Sequence, residues 1–271
     1  MVGTLDRYAD FGSQYVAPRH VDVWLPPGYA ADEEQRYAVL YMHDGQNLFE
    51  PGHSYAGAPW SVDVALAGLI EAREVPPTIV VGVWNTDLRR QEYLPARPFA
   101  SPEGQVVLEQ MRAEYGGQSL SDAYLRFLIE EVKPFVDARY RTLPDRAHTF
   151  VMGSSMGGLI SLYALCEYPS AFAGAGCLST HWVAGEDIII EYVRQALPAP
   201  GRHRVYFDHG TETLDALYEP FQQQVDQVMR AAGYREGVDW VTRTFKGAEH
   251  SEVAWRERVH IPLAFLLRSR G

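Results

Sequence analysis

Two alternating patterns of apolar and polar residues run along the chain and predict its secondary structure. Apolar residues at helical spacing predict helices at 60–75, 120–140, 187–197, 217–232 and 253–268, with Pro134 expected to kink the second of them. Short and nearly continuous apolar runs predict strands that are buried on both faces of a sheet, at 37–42, 78–84, 171–179, 203–207 and 238–245, and an alternating run predicts another strand at 14–25. Since strands and helices alternate, we expect an α/β fold with a mostly parallel central sheet and helices on both faces.

One long stretch does not follow this alternation. Residues from about 85 to 118 are rich in proline and glycine and show no clear periodicity. Segments of this length without regular structure are uncommon in compact domains unless they serve a function, so we expect a pocket-lining insertion here. Its charged residues would equally suit a solvated surface. No internal repeat and no shift in composition marks a linker, and we therefore expect residues 1–271 to form a single domain.

An apolar run that passes into a helical pattern of small residues carries the clearest chemical signal. It contains Gly153-Ser154-Ser155-Met156-Gly157, the G-x-S-x-G arrangement of a nucleophile elbow between a strand and a helix. The turn is sharp and admits almost no side chain two residues before or after the nucleophile. Ser155 has glycines at both of these positions, whereas Ser154 has methionines there. We therefore predict that Ser155 is the nucleophile; the structural alternative is a glycine-rich turn with a capping serine.

Two backbone N–H groups are expected to bind an oxyanion beside the nucleophile. The nucleophile precedes a predicted helix, where unpaired N–H groups and the helix dipole favour negative charge, so the Met156 N–H is one candidate. The loop after the first nearly continuous strand begins His43-Asp44-Gly45-Gln46, and folds with this elbow take the second donor from such a loop. We place that donor near Gln46, with Gly45 allowing the backbone to approach substrate closely. His43 and Asp44 either contact substrate or only hold the loop.

A serine nucleophile also needs a histidine base and a carboxylate that orients the histidine. With this elbow, the chain order is serine, acid, histidine. Four histidines after Ser155 fall in loops or element ends that could face the site, namely His181, His209, His250 and His260. His250 lies in the last strand-to-helix loop, where the base is expected, whereas His260 lies inside the predicted final helix. We therefore predict that His250 is the base.

The acid is expected after the preceding strand, within 208–215. Asp208 is so close to the end of that strand that a structural role is expected for it. Glu212 and Asp215 both lie in the loop. We favour Asp215, because backbone N–H groups at the start of the next helix would hold its short carboxylate and keep it ionised. The alternatives are that Asp215 is only the N-cap of that helix and that Glu212 is the acid.

A further candidate for the site follows another strand. Residues just past the carboxyl end of a sheet strand lie in the crevice where ligands bind. Trp182 follows the strand at 171–179 and is a candidate wall of the substrate pocket, with His181 a weaker one.

Composition and charge narrow the range of partners. The net charge of -11 argues against nucleic acid or an anionic membrane as the main partner. Cys166 and Cys177 make neither a disulfide framework nor a Cys-x-x-Cys metal site, and we expect both to be buried. The first residues lack the apolar core of a signal peptide and no run is long enough to span a membrane, so we expect a cytoplasmic protein. The chemistry needs no metal and no organic cofactor, the expected partner is a small-molecule ester, and the sequence carries no signal for an oligomeric state.

The motifs resemble those of a known group, the esterase D-like (carbohydrate esterase family 1-type) branch of the α/β-hydrolases, which includes feruloyl, acetylxylan and enterochelin esterases. Residues 43–49 are similar to the oxyanion loop of its bacterial members, and 153–158 to their elbow. Residues 249–252, with Trp255 and Arg258, are similar to their histidine loop. The similarity extends from about residue 19 to 267. It implies the α/β-hydrolase fold and serine-dependent ester hydrolysis.

Two details of this resemblance concern individual residues. The stretch from Arg90 to Pro95 is similar to the Arg-x-x-Glu-Leu-Pro stretch of siderophore esterases, which implies that Arg90 faces the substrate pocket while Glu92 braces the loop. Many relatives place the acid three residues after the strand-end glycine, and that position is Thr213 in this chain. The departure leaves the choice between Glu212 and Asp215 open.

The predicted reaction is hydrolysis of a carboxylic ester through an acyl-enzyme. The nearest alternative is an acyltransferase that passes the same acyl group to an alcohol. A non-catalytic ligand-binding protein on the same scaffold is the alternative from another class, and the intact set of serine, acid and histidine argues against it. Arg90 and Arg97 hint at an anionic or catechol-like substrate.

Overall fold

The central sheet of the computed structural model, which describes residues 1–269, has eight strands. They are β1 (Thr4–Phe11), β2 (Arg19–Leu25), β3 (Ala38–His43), β4 (Thr78–Val83), β5 (Thr149–Ser154), β6 (Gly174–Leu178), β7 (Arg204–Gly210) and β8 (Trp240–Phe245). Their order in the sheet is β1-β2-β4-β3-β5-β6-β7-β8. β2 is antiparallel to both β1 and β4, and every other neighbouring pair is parallel. The expected mostly parallel sheet is confirmed.

Helices pack on both faces of this sheet. They are α1 (Val62–Glu71), α2 (Arg89–Tyr93), α3 (Pro102–Gln110), α4 (Arg112–Tyr115), α5 (Ser121–Arg126), α6 (Lys133–Arg139), α7 (Met156–Glu167), α8 (Asp187–Ala196), α9 (Glu219–Ala231), α10 (Glu252–Arg258) and α11 (His260–Leu267). In the part of the chain that the structure describes, no helix is long and apolar enough to cross a membrane.

The sheet separates two apolar cores, because successive side chains of a strand point to opposite faces. In β3, Val39 and Tyr41 join the core that also contains the apolar side chains of α7, α8 and α9. Leu40 and Met42 join the other core, which contains those of α1 and α11. All four residues are buried, and this is why the strand reads as a continuous apolar run rather than as an alternating one.

The edge strand β1 was not expected from the sequence. Its residues are mostly exposed or half-buried, so it lacks a clear period-two apolar pattern. The next strand starts at Arg19 and not at residue 14, because the Ser13 hydroxyl accepts hydrogen bonds from the N–H groups of Tyr15 and Val16 and forms a turn there.

Prolines explain two departures from the predicted helices. The helix expected at 120–140 contains a π-helical segment, Phe127–Val132, between α5 and α6. Pro134 follows this segment as the second residue of α6 and has no N–H for the regular helical hydrogen bond. The helix expected at 253–268 is divided into α10 and α11, and Pro262 cannot donate to the carbonyl of Arg258 one turn earlier.

The stretch at 85–118 contains short helices instead of irregular chain, namely α2, a 3₁₀ turn (Arg97–Phe99), α3 and α4. A buried ion pair fastens it to the sheet. The Arg19 guanidinium of β2 donates to both carboxylate oxygens of Glu92 at 2.8 and 2.6 Å, and each side chain is only 1% exposed. Glu92 therefore braces this segment, as the resemblance implied.

Removal of Glu92 should be costly for stability. Glu92→Ala leaves the Arg19 guanidinium buried without its anion, and we expect the free energy of unfolding to fall by about 3–5 kcal/mol. The double variant Arg19→Met with Glu92→Met should lose less, since it buries no unpaired charge. Urea denaturation measures both. As a control, Glu109→Ala breaks the exposed pair with Arg112 and should change stability little. A Glu92→Ala loss no larger than the control would contradict the bracing role.

Candidate active site

The loops at the carboxyl end of the parallel strands bring the candidate residues together. Strands β3, β5, β6, β7 and β8 all point the same way, so the loops that follow them are neighbours. Asp44 follows β3, Ser155 follows β5, Ser179 follows β6, Asp215 follows β7 and His250 follows β8. Residues far apart in sequence therefore meet in one site.

Ser155 occupies a strained turn between β5 and α7. Its backbone angles are φ 57° and ψ −124°, a region that side-chain-bearing residues rarely adopt. A Cβ atom at Gly153 would lie 2.7 Å from the backbone of Gly157, so the crossing admits no side chain at Gly153. The glycine requirement that selected Ser155 over Ser154 is thus met in the structure. Ser154 is the last residue of β5 and is 4% exposed.

The His250 ring is hydrogen-bonded to a carboxylate. His250 Nδ1 lies 2.6 Å from Oδ1 of Asp215, whose side chain is fully buried. The other oxygen, Oδ2, accepts hydrogen bonds from the Gly210 N–H at 2.6 Å and from the Ser179 hydroxyl at 2.7 Å. Burial would raise the pKa of Asp215, but the hydrogen bonds from His250, Ser179 and Gly210 hold it below its ordinary value. The carboxylate is therefore ionised at neutral pH.

The two candidate acids have different surroundings. Glu212 is exposed, and its carboxylate accepts a hydrogen bond from the neighbouring Thr211 hydroxyl. Asp215 lies within a 3₁₀ turn (Thr213–Leu217) and is not an N-cap; the backbone N–H that holds it belongs to Gly210 and not to the start of a helix. Thr213 takes another part, since its hydroxyl accepts a hydrogen bond from the His250 N–H at 2.9 Å.

A buried polar network supports the carboxylate from behind. The Ser179 hydroxyl accepts hydrogen bonds from Trp255 Nε1 at 2.9 Å and from Arg258 Nη2 at 3.0 Å. Because both neighbours can only donate, the Ser179 proton must point to Asp215. Arg258 also donates to both oxygens of the buried Asp208 carboxylate. Asp208 has the structural role expected for it.

The loop after β3 lies against the elbow. A Cβ atom at Gly157 would be 3.3 Å from Asp44 Oδ2, which places the two loops in contact. Gly45 packs on β4, where a Cβ atom would lie 2.5 Å from the backbone of Gly82. Gln46 follows in a 3₁₀ turn, and its side-chain oxygen accepts a hydrogen bond from the Asn85 N–H at 3.2 Å. Met156 is the first residue of α7, where helix N–H groups have no intrahelical partner.

His43 and Asp44 hold this loop in place. The His43 ring is buried, and its Nδ1 lies 2.7 Å from the Tyr124 hydroxyl. Burial lowers the pKa of His43 to about 4, so the ring is neutral. The Asp44 carboxylate receives two hydrogen bonds from the Arg89 guanidinium, both at 2.7 Å, and one from Asn85. Their side chains are engaged within the protein, as in the loop-holding alternative.

Two other candidates differ in their exposure. Trp182 is 1% exposed and donates from Nε1 to Gln222 at 3.1 Å, so its expected position in the pocket wall is wrong. Its ring turns into the core because Phe207 of β7 offers an apolar face. The Arg90 side chain is 60% exposed and pairs with Glu114 on α4 at 3.8 Å.

The structure adds two tyrosines, Tyr115 and Tyr218, that the sequence pattern missed. The His181 ring joins two tyrosine hydroxyls, with Nε2 2.7 Å from Tyr115 and Nδ1 2.8 Å from Tyr218. The Tyr218 ring is 5.7 Å from the His250 ring. Burial raises the pKa of the Tyr218 hydroxyl, and the nearby Ser155 side chain acts to lower it. The one available signal was the position of Tyr218, a single turn after Asp215. Nothing in the sequence marked Tyr115.

Comparison with known proteins places this geometry in a family. The model of the family described as "Putative esterase" matches residues 13–264, nearly the whole chain. The chain belongs to this esterase family. The family and its enzymes confirm the resemblance inferred from the motifs, and the chain is an esterase that acts on small-molecule esters.

Individual relatives of the esterase are distant. It is 26% identical over 227 residues to the uncharacterized protein YbbA of Bacillus subtilis (strain 168), with 80% of each chain covered. It is 27% identical over 154 residues to the ferri-bacillibactin esterase BesA of the same organism, covering 54% of this chain and 49% of BesA. The chain thus spans about half the length of BesA.

Solved structures share the fold of the esterase. A ferulic acid esterase has a TM-score of 0.69 at 18% identity, with 98% of this chain and 99% of that chain covered. An IroE-like serine hydrolase from Shewanella oneidensis has a TM-score of 0.73 at 18% identity, with 97% and 80% covered. These likenesses confirm the α/β-hydrolase fold.

Buried neutral histidines near the site should make stability depend on pH. Burial lowers the pKa of His43 to about 4 and that of His181 to about 3, whereas histidine in an unfolded chain titrates near ~6.5. Between pH 6.5 and 4 the unfolded state binds protons that the folded state excludes, so the free energy of unfolding falls as the pH is lowered. Each histidine contributes up to about 1.4 kcal/mol per pH unit.

Urea denaturation at a series of pH values tests this expectation. His43→Gln should reduce the pH dependence of the free energy of unfolding between pH 4.5 and 6.5 by about 1 kcal/mol per unit relative to the parent protein, since the histidine of the unfolded chain is only half protonated at pH 6.5. Comparison of the two proteins cancels the contributions of all other groups. Parallel curves for the two proteins would show that His43 does not stay neutral in the folded state.

Proposed function

We propose that the esterase is a serine carboxylic-ester hydrolase in which Ser155 is the nucleophile, His250 the base and Asp215 the orienting acid. The observation that carries this proposal is the buried Asp215 carboxylate, 2.6 Å from His250 Nδ1, in the loop layer that also presents Ser155 on its strained turn. An ionised carboxylate on Nδ1 fixes the tautomer that leaves Nε2 free to accept a proton.

The reaction proceeds through an acyl-enzyme. Ser155 Oγ attacks the ester carbonyl and gives its proton to His250 Nε2, while the carbonyl π electrons move to the oxygen. The N–H groups of Met156 and Gln46 are the proposed donors to this oxyanion. When the tetrahedral intermediate collapses, the leaving alkoxide takes the proton from His250. Water then repeats the sequence on the acyl-enzyme, releases the acid and restores Ser155.

Electrostatics around the base support this route. The carboxylate of Asp215 is buried and ionised, and it stabilises the positive charge that the His250 ring acquires in the transition state. The network of Ser179, Trp255 and Arg258 limits the freedom of that carboxylate. A base that is held in position in this way stabilises the transition state without having to reorganise during the reaction.

A fluorophosphonate probe tests the nucleophile without knowledge of the natural ester. We expect one covalent adduct, located at Ser155 by peptide mass, because the activated hydroxyl attacks the phosphorus centre. Ser155→Ala should abolish the adduct, and the matched control Ser154→Ala should keep it. Adduct formation on Ser154, or none on folded protein, would refute the assignment.

A second pair of variants tests the acid. Asp215→Asn should lower kcat for p-nitrophenyl acetate by about 10³-fold or more, since an amide favours the wrong histidine tautomer. Glu212→Gln, three residues earlier in the same loop, should stay within about twofold of the parent protein because Glu212 is exposed. Circular dichroism establishes that both variants are folded. A larger loss in Glu212→Gln than in Asp215→Asn would reverse the choice of acid.

A further inference from the structure

Three buried side chains form a hydrogen-bonded row that ends beside the nucleophile and has no part in the proton transfer described above. Tyr115, His181 and Tyr218 are 3%, 8% and 0% exposed. The Tyr115 hydroxyl lies 2.7 Å from His181 Nε2, and the Tyr218 hydroxyl lies 2.8 Å from His181 Nδ1. A buried row with both ring nitrogens satisfied is rigid and sets the direction of its own hydrogen bonds.

Backbone contacts fix this row to the proposed catalytic residues. The His181 N–H donates to the Ser155 carbonyl oxygen at 3.2 Å, and the Tyr218 N–H donates to the Asp215 carbonyl oxygen at 3.0 Å. The Tyr218 ring meets the His250 ring edge-on, at 5.7 Å between centroids and 77° between planes. Tyr218 thus contacts both the base and the acid, and its hydrogen-bond partner His181 contacts Ser155.

The protonation of His181 restricts what Tyr218 can do. Burial lowers the pKa of His181 to about 3, and the ring therefore has one N–H donor and one acceptor nitrogen at neutral pH. If Tyr115 donates to Nε2, the Nδ1–H donates to the Tyr218 oxygen, and the Tyr218 proton is left to point at Ser155. Burial also raises the pKa of Tyr218 well above its ordinary value, so that this proton is retained.

Hydrogen bonds that run the opposite way, from Tyr218 through His181 to Tyr115, would interfere with catalysis. The Glu114 carboxylate lies near the Tyr115 hydroxyl and could accept its proton. His181 would then donate from Nε2 and accept from Tyr218, and the Tyr218 oxygen would accept the proton of Ser155. In that arrangement Tyr218 competes with His250 for the proton that must leave Ser155. The first direction alone leaves that proton to His250.

We propose, resting on the acyl-enzyme route above, that the Tyr218 hydroxyl donates a hydrogen bond to Ser155 Oγ and stabilises the charge on this oxygen when the acyl-enzyme breaks down. In that step the bond between the acyl carbon and Oγ breaks and its electron pair returns to Oγ. The proton that His250 took from the attacking water then passes to Oγ. Tyr218 keeps its own proton throughout, and His181 acts as a positioning residue for it.

Tyr218→Phe removes only the hydroxyl and should slow deacylation more than acylation. With p-nitrophenyl acetate we expect kcat to fall about 10-fold, as for the loss of one hydrogen bond to a charged oxygen. KM should fall in parallel and kcat/KM should stay within about twofold, because slow deacylation lets acyl-enzyme accumulate. Rapid mixing should show a burst of one p-nitrophenolate per active site before the slow phase.

Two further variants separate this role from general destabilisation. Tyr234→Phe removes a buried tyrosine hydroxyl that donates to the Pro198 carbonyl, in a region apart from the site, and should leave kcat and KM unchanged. Tyr115→Phe removes the donor to His181 Nε2 and should give a smaller loss of kcat in the same direction as Tyr218→Phe.

The outcomes are distinct. Unchanged kcat in Tyr218→Phe, or a loss of kcat/KM without a burst, would overturn the proposed hydrogen bond while leaving the serine mechanism intact. A rise in kcat would show that the row runs in the opposite direction, towards Glu114. A parent protein that forms no adduct with the fluorophosphonate and turns over no ester would overturn the serine mechanism and this inference with it.

Discussion

The buried carboxylate of Asp215 is the feature on which the rest of the site depends. A charge with no solvent around it is tolerated only when hydrogen bonds replace the lost water. Three donors do so: the Gly210 N–H at the end of the preceding strand, the Ser179 hydroxyl and the His250 ring. The contacts with Ser179 and His250 fix the loops after β6 and β8 relative to the loop that carries Asp215. Satisfying a single anion therefore also assembles the candidate site at the end of the sheet.

The cost of this arrangement appears in the backbone. Ser155 and Ser179 both have positive φ angles, 57° and 42°, at the ends of the adjacent strands β5 and β6. Such conformations cost about 1–3 kcal/mol each and persist where the surroundings overdetermine them. Ser179 is held by four groups: Asp215 on one side, Trp255 and Arg258 on another, and Asp208 through its N–H. The strained backbone thus occurs at two serines whose side chains must point in a fixed direction.

The segment at 85–118 is held in place by ion pairs and not by apolar packing alone. The Arg19–Glu92 pair ties it to β2, and the Arg89–Asp44 pair ties it to the loop that carries the proposed second oxyanion donor. Tyr115, farther along the same segment, reaches His181 in the interior. The shape of the loop after β3 and the surroundings of Ser155 are therefore coupled to residues that lie far from Ser155 in sequence.

Local patterns in the sequence are sufficient to predict most of the fold and part of the candidate site. The alternation of buried runs and helical periods predicts the parallel sheet, because each period reflects which face of an element meets the core. The glycines around Ser155 predict the register of the elbow, because the steric demand acts within five successive residues. His250 is predicted from the order of strands and helices, because it lies in the last strand-to-helix loop, where folds with this elbow place the base. The edge strand β1 was not predicted, because its residues are exposed or half-buried and show no apolar periodicity.

Only the tertiary structure decided the features that depend on distant partners. Glu212 and Asp215 share one short loop, and Asp215 meets His250 because Ser179, 36 residues away in the chain, and Gly210 hold its carboxylate. Trp182 follows a strand end as a pocket residue would, yet the neighbouring strand gives it an apolar face to pack on. Hydrogen bonds across loops, such as the one from Tyr115 to His181, leave no period in the sequence, since neither residue constrains its neighbours in the chain.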